Sequence, residues 1–336
     1  MSKQTHIGII GCGKQAEKHI TSLQKLPDIA ITVADVDTNR AQQLAERFGV
    51  KTAEVDTFFT DPSIQAIAIC TPTPTHAAFI EKATSNGKAF FCEKPLCASL
   101  KDAEAIQTAC SNHQARGLVG YIYRYSPVFQ TAHDLLKQPH NTSPFGKPVM
   151  ATLRIGGRGS HQLWKHKTET GGGVMNEMLV HMVDLAYWLF GEIKEAHLLK
   201  KSLLRDKRVI GGTLHEVDAE DFVLAELVTT SGISIYIQAD LLTPGFSQHI
   251  EIQGEEGSFM GSIQPDIPAR LFSSKEVSGY QKGWNLLPAS RVNLLDEQMA
   301  HFVQLINDPT MTPKTTIDDS LALMAIMDKL QQKENI

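Results

Sequence analysis

The stretch Thr5-His6-Ile7-Gly8-Ile9-Ile10-Gly11-Cys12-Gly13-Lys14-Gln15-Ala16 decides the reading of the fold. An apolar run ends in a glycine turn, a polar-and-apolar segment follows through Leu26, and a second apolar run, Ile29 to Ala34, ends at Asp35. That order predicts strand, turn, helix, strand, acid. Gly11 allows a tight turn, Gly13 lets a pyrophosphate approach the backbone and the helix N-terminus, and Ala16 lets helix and strand pack closely. Asp35, about 20 residues past the glycines, is placed to accept hydrogen bonds from adenosine ribose hydroxyls. A glycine turn alone would only pack a strand on a helix; the strand before it, the helix after it and the acid beyond make it a dinucleotide loop. The candidates are Gly11, Cys12, Gly13, Lys14 and Gln15. The Asp35 carboxylate would repel a 2′-phosphate and so favours NAD, while the nearby Arg40 leaves NADP open.

The same alternation continues outward from that loop. Asp37 or Thr38 caps a helix over Ala41 to Phe48. Ala66-Ile67-Ala68-Ile69-Cys70 is continuously apolar, as expected of a strand covered on both faces of a parallel sheet. It ends in Thr71-Pro72-Thr73-Pro74-Thr75-His76, at the carboxyl edge where open parallel sheets hold ligands. A helix from His76 to Ser85 leads to the strand Ala89 to Cys92 and then to Glu93-Lys94-Pro95. A lysine directly after a buried strand points at the crevice that Gly13 and Thr71 share. A helix from Ser99 to Cys110 and a strand from Leu118 to Ile122 complete a doubly wound domain, predicted over residues 1–123.

From residue 124 onward the pattern changes. Residues 156–170 form a loop rich in basic and aromatic side chains: Arg158, His161, Trp164, Lys165, His166 and Lys167. Gly171-Gly172-Gly173 precedes a predicted helix from Val174 to Phe190. On it Glu177 and His181 are four apart and His181 and Asp184 three apart, so all three share a face. Flanking carboxylates can tune a histidine as an acid/base group. The same spacing also suits a half-buried histidine satisfied by its neighbours, or a Glu/His metal pair, for which no further ligand cluster appears. Segments from 193 to 264 alternate as antiparallel strands, and helices from Leu294 to Ile306 and Ile317 to Gln332 close the chain. Residues 124–336 therefore read as an α+β domain for substrate binding and oligomerisation.

The 336 residues carry a formal net charge of −5 with acids and bases interspersed. That gives no basic footprint for nucleic acid and no polybasic membrane patch. The five cysteines are odd in number and form no C-x-x-C pair, which fits reduced thiols in a cytoplasmic protein. The most apolar long segment, Met178 to Phe190, is too short to span a bilayer.

Taken together, these motifs resemble the glucose–fructose oxidoreductase / inositol dehydrogenase / rhizopine-catabolism (Gfo/Idh/MocA) family over nearly the whole chain. The likeness is carried by Gly11-x-Gly13-x-x-Ala16, Thr71-Pro72 with His76, Glu93-Lys94-Pro95, Arg124 with Pro127, and Gly171-Gly172-Gly173 leading to His181-x-x-Asp184. It implies an N-terminal Rossmann domain and a C-terminal domain with a large, mostly antiparallel open sheet. It implies an NAD(P)-dependent dehydrogenase or reductase acting on the CH–OH groups of sugars or polyols, and a homodimer or homotetramer. Lys94 and His181 map to the catalytic pair, with Glu177 beside them. Thr71, Pro72, Thr73, His76, Glu93, Lys94 and Arg124 join the cofactor set, and no metal is expected. Two positions depart from the family pattern: Glu177 stands where aspartate is common, and Leu179 where glycine is common.

For the substrate side the candidates are Lys94, Tyr123, Arg158, Trp164, Glu177 and His181. The basic loop points to a sugar derivative, such as a sugar acid or nucleotide sugar. The alternatives are a free sugar or inositol-like polyol, for which those charges are only solvated, and a non-catalytic dinucleotide-binding redox sensor, which would not need Lys94 and His181 together.

Overall fold

A computed structural model describes residues 4–158, 162–264, 266–288 and 292–332. The chain forms two compact units, Met1–Tyr125 with Val292–Ala325, and Ser126–Arg291 with Ile326–Ile336. The sequence reading sent everything after residue 123 to the second domain, whereas the segment from Val292 to Ala325 returns to the first unit.

In the first unit β1 (Thr5–Ile10), α1 (Lys14–Leu23), β2 (Ile29–Ala34), α2 (Thr38–Phe48), β3 (Lys51–Thr52), α3 (Thr57–Thr60), β4 (Ala66–Ile69), α4 (His76–Ser85), β5 (Ala89–Cys92), α5 (Leu100–His113) and β6 (Gly117–Val119) follow in order. The strands make one parallel sheet in the order β3-β2-β1-β4-β5-β6. The order reverses between β1 and β4, so a crevice opens at their carboxyl ends. Every residue of β4 is fully buried, which is why its sequence shows no alternation. Asp37 caps α2 by accepting from the amides of Asn39 and Arg40, and Gly49 ends the helix at φ 65°.

The second unit holds α6 (Pro127–Leu136), β7 (Pro148–Gly156), α7 (Val180–Phe190), β8 (Ile193–Ser202), β9 (Lys207–Ile210), β10 (Thr213–Glu216), β11 (Phe222–Thr229), β12 (Ser234–Asp240), β13 (Ser247–Gly254), β14 (Gly257–Ser262), β15 (Arg270–Ser273) and β16 (Gly283–Leu286). Eight of these strands form a sheet in the order β16-β15-β14-β13-β7-β12-β11-β8. It is antiparallel except where β7 runs parallel to β12. In β11 buried and half-buried residues alternate strictly, so one face is covered and the other is not. The small hairpin of β9 and β10 was not apparent in the sequence, because it is largely exposed and its pattern answers to no core.

Beyond residue 291 come α8 (Leu294–Asn307) and α9 (Ile317–Gln331). Met299, Phe302 and Leu305 of α8 join the core made by β1, α1, β2 and α2. Arg124 is 1 % exposed and donates to the Asp319 carboxylate and the Lys314 carbonyl, each at 2.8 Å. It clamps the returning segment inside the first unit.

Gly8 lies mid-strand in β1, and a Cβ there would sit 2.6 Å from the Phe58 ring. Gly8→Ala is expected to cost about 1–3 kcal/mol through overpacking. Urea denaturation would show this as a lowered midpoint, and an unchanged midpoint would mean that Phe58 yields without cost.

Candidate active site

The glycine turn closes against the loop that follows β4. Gly11 has φ 91°, and a Cβ there would lie 2.7 Å from the Cys70 carbonyl oxygen, so only glycine suits both the conformation and the approach. A Cβ on Gly13, by contrast, would meet nothing within 4 Å. Gly13 is also the N-cap of α1 and offers no side-chain cap to the first amides of that helix. Those amides carry the positive end of the helix dipole. Open space in front of uncapped amides is what a pyrophosphate requires. Lys14 and Gln15 begin α1 at this point, Lys14 exposed and Gln15 half-buried.

Asp35 directly follows β2, with its side chain 7 % exposed. One oxygen accepts from the Cys12 amide at 2.7 Å, the other from the Asp37 amide at 2.9 Å. A carboxylate has about four lone-pair sites, so two amides fix its orientation and leave acceptors for ribose hydroxyls. Arg40 stands 3.8 Å from Asp35 and 3.9 Å from Asp37. Its charge is shared by two carboxylates, which weakens the case for a 2′-phosphate. Val36, 93 % exposed beside Asp35, offers an apolar surface that motif reasoning had passed over. The residues present therefore fit NAD.

The loop after β4 brings Thr71, Pro72 and Thr73 to the same edge, with Thr75 donating to the Thr71 hydroxyl at 2.7 Å. His76 does not face outward with them. It is 1 % exposed, with Nδ1 3.0 Å from the Pro95 carbonyl and Nε2 2.9 Å from the Thr71 carbonyl. It ties the loop after β4 to the loop after β5. Arg124 donates to Asp319 and Lys314 as described above, and Tyr123 is 8 % exposed, with burial pushing its hydroxyl pKa up.

Just after β5, Glu93 accepts from His19 Nε2 at 2.6 Å and from the Gln15 side-chain Nε2 at 3.3 Å. Burial pushes the Glu93 carboxyl up, but the His19 hydrogen bond and the charges of His19 and Lys94 outweigh it and hold the pKa below the usual value. An anionic carboxylate thus sits directly before half-buried Lys94. His19 was missed from sequence, since a histidine inside an amphipathic helix gives no motif.

In the second unit the segment before α7 departs from the expected α-helix: Met175–Leu179 is a π-helix. Such turns are rare and concentrate at functional sites. The wider turn alters the simple four-residue register assumed between Glu177 and His181. Glu220 caps it, its carbonyl accepting from the Val174 amide at 3.0 Å and its carboxylate from the Met175 amide at 3.3 Å. Gly173, at φ 111°, leaves the room Glu220 occupies. His181 is half-buried at the start of α7 and Asp184 is 1 % exposed.

The basic loop is not uniformly open. The Lys165 ammonium pairs with the Glu177 carboxylate and lies 5.2 Å from the centre of the Trp164 ring. Trp164 and Arg158 are exposed, His166 is buried, and His161 lies outside the described residues. Among the described residues no cluster of three His, Cys, Asp or Glu is arranged to hold a metal ion, and no helix is long and apolar enough to cross a membrane.

Comparison with known proteins adds an independent line. Residues 5–121 match the oxidoreductase family with an NAD-binding Rossmann fold, and residues 129–260 match the GFO/IDH/MocA C-terminal domain. The chain is 28 % identical to inositol 2-dehydrogenase of Rhizobium meliloti (strain 1021) over 79 % of its length and 77 % of that protein. It is 24 % identical to myo-inositol 2-dehydrogenase of Thermotoga maritima over 98 % of its length and 97 % of that protein. A solved structure of levoglucosan dehydrogenase, in complex with NADH and L-sorbose, shares the fold at TM-score 0.84 with 19 % identity, covering 98 % of this chain and 96 % of that one.

Because Gly13 faces open space, Gly13→Ala is expected to fold normally yet to weaken dinucleotide binding by about tenfold or more, the loss of one charge-assisted contact. Gly11→Ala is expected to lower the melting temperature instead. Fluorescence titration with NADH alongside thermal melts separates the two. Equal NADH affinity for wild type and Gly13→Ala would remove the pyrophosphate from this loop.

Proposed function

The chain belongs to the GFO/IDH/MocA family and is an NAD-dependent oxidoreductase, and on that premise we propose that it oxidises a secondary hydroxyl of an uncharged cyclic polyol or sugar, or reduces the matching carbonyl. The observation that carries this choice of substrate is the Lys165–Glu177 pair. A lysine read from sequence as a handle for an anionic sugar derivative is already neutralised within its own unit. The inositol dehydrogenases among its relatives point the same way. A nucleotide sugar remains the second reading, supported by exposed Arg158 and by Trp164, 45 % exposed.

Bound NAD supplies the hydride acceptor at its nicotinamide ring. In the oxidative direction His181 takes the proton from the substrate hydroxyl as general base. Lys94 donates a hydrogen bond to the same oxygen and stabilises the charge that develops there. The Glu93 carboxyl, held below the usual carboxylate value by His19, precedes Lys94 directly in the chain. Glu177 accepts a hydrogen bond from a neighbouring substrate hydroxyl. A homodimer or homotetramer built through the uncovered face of the eight-stranded sheet suits exposed Trp284 and Leu286 of β16. A cytoplasmic setting suits five free cysteines.

Lys94→Ala and His181→Ala are each expected to lower turnover by about 10²–10⁴ while leaving NADH binding nearly intact. The assay follows NADH absorbance with inositols, hexoses, sugar acids and nucleotide sugars, offering NAD and NADP separately. Wild-type rates in either variant would overturn the assignment. Turnover only with a nucleotide sugar would replace the polyol reading with the second one. Tight NADH binding with no turnover of any compound would favour a dinucleotide sensor.

A further inference from the structure

We infer that Lys165 and Glu177 act together as the specificity determinant for substrate charge: paired, they admit an uncharged polyhydroxylated ring, and with Glu177 neutralised the Lys165 ammonium recruits a carboxylate-bearing one. The inference rests on the carbohydrate and polyol reading above and names two residues that decide within that class.

The pair is built rather than incidental. Its side chains are 22 % and 13 % exposed, so solvent screens it less than an ion pair on the open surface. The backbone that delivers Lys165 is laced onto the glycines before the π-helix. The Gly173 amide donates to the Lys165 carbonyl at 3.0 Å, and the Gly172 amide to the Lys167 carbonyl at 2.9 Å. A Cβ on Gly172 would lie 2.6 Å from the Lys165 carbonyl carbon, so the absence of a side chain there is what lets the loop come so close. Glu177 meets it from the π-helix itself, four residues before His181. The indole of Trp164 places a π-face near the ammonium, which favours keeping a cation there.

Neutralising Glu177 removes the counter-charge that it gives the Lys165 ammonium. If Glu177 is made neutral, the Lys165 ammonium is held in place by the same loop without the Glu177 charge beside it. A substrate carboxylate then supplies the missing charge. If Lys165 is removed instead, Glu177 remains as an anion and disfavours carboxylated substrates further.

The test compares myo-inositol with glucuronate as substrates of the full-length enzyme with NAD, in low-chloride buffer. Four proteins are used: wild type, Glu177→Gln, Lys165→Gln and the double variant. Wild type is expected to prefer inositol. Glu177→Gln is expected to lose activity on inositol and to raise the glucuronate-to-inositol ratio of kcat/KM by about ten- to a hundredfold, the range of a charged hydrogen bond. The double variant is expected to lose that gain. A ratio that stays within about twofold of wild type in Glu177→Gln, the scatter of independent effects, overturns the inference, as does a gain that survives in the double variant.

A binding readout keeps this separate from the functional reading. The part of the fluorescence change that Trp164→Phe abolishes reports on the pair with or without turnover. If wild type turns over neither compound, the polyol reading fails. Saturable quenching by glucuronate in Glu177→Gln, absent in wild type and in the double variant, then still supports the pair as a charge selector. The same response in all proteins overturns it.

Discussion

The approach of two backbone loops at the carboxyl edge of the parallel sheet is the constraint on which the cofactor unit rests. The turn after β1 and the strand end of β4 come so close that a side chain at Gly11 would overlap the Cys70 carbonyl. Asp35 then ties the same turn to the end of β2 through the Cys12 amide. His76 ties the β4 loop to Pro95 after β5. One short stretch of backbone is thus fixed from three neighbouring strands. Gly13 and the first amides of α1 are left facing space, because everything behind them has been immobilised.

The second unit uses glycine for a related end by different means. Gly172 and Gly173 admit a loop backbone on one side and the Glu220 side chain on the other. With Glu220 satisfying the first amides, the chain enters a π-helical turn before it settles into α7. A wider turn carries its side chains at a different angle from an α-helix. It is at this turn that Glu177 meets Lys165. Both units therefore place candidate site residues near close backbone approaches that glycine makes possible.

What could be read from the sequence follows from this. Strands covered on both faces, such as β4, and helices with one apolar stripe announce themselves through hydrophobic period alone. The glycine loop and Asp35 are legible because their chemistry is tied to fixed spacing. The Gfo/Idh/MocA resemblance is what proposes roles for Lys94 and His181. Side chains engaged by tertiary partners were not legible. Nothing local says that Arg124 will be taken by Asp319, that His76 will be turned inward, or that Lys165 will be neutralised by Glu177. The π-turn was hidden because its residues suit an α-helix equally well, and the group that meets its first amides is Glu220, far along the chain. The return of Val292–Ala325 to the first unit was hidden for a similar reason: the pattern shows that α8 is amphipathic but not which core it covers.

The return of that helix bears on how the protein is made. Met299, Phe302 and Leu305 belong to the core of the first unit, yet about 170 residues separate Tyr125 from Val292. At roughly 5–20 residues per second of synthesis, the nascent cofactor unit waits on the order of ten to thirty seconds with a strip of its apolar core uncovered. During that time the second unit is emerging with its own sheet edges unpaired. Residues that look like the least informative tail of the chain are thus the last piece of its first-made half. A message cut short before them would release a chain whose nucleotide loop is fully encoded and whose core is not.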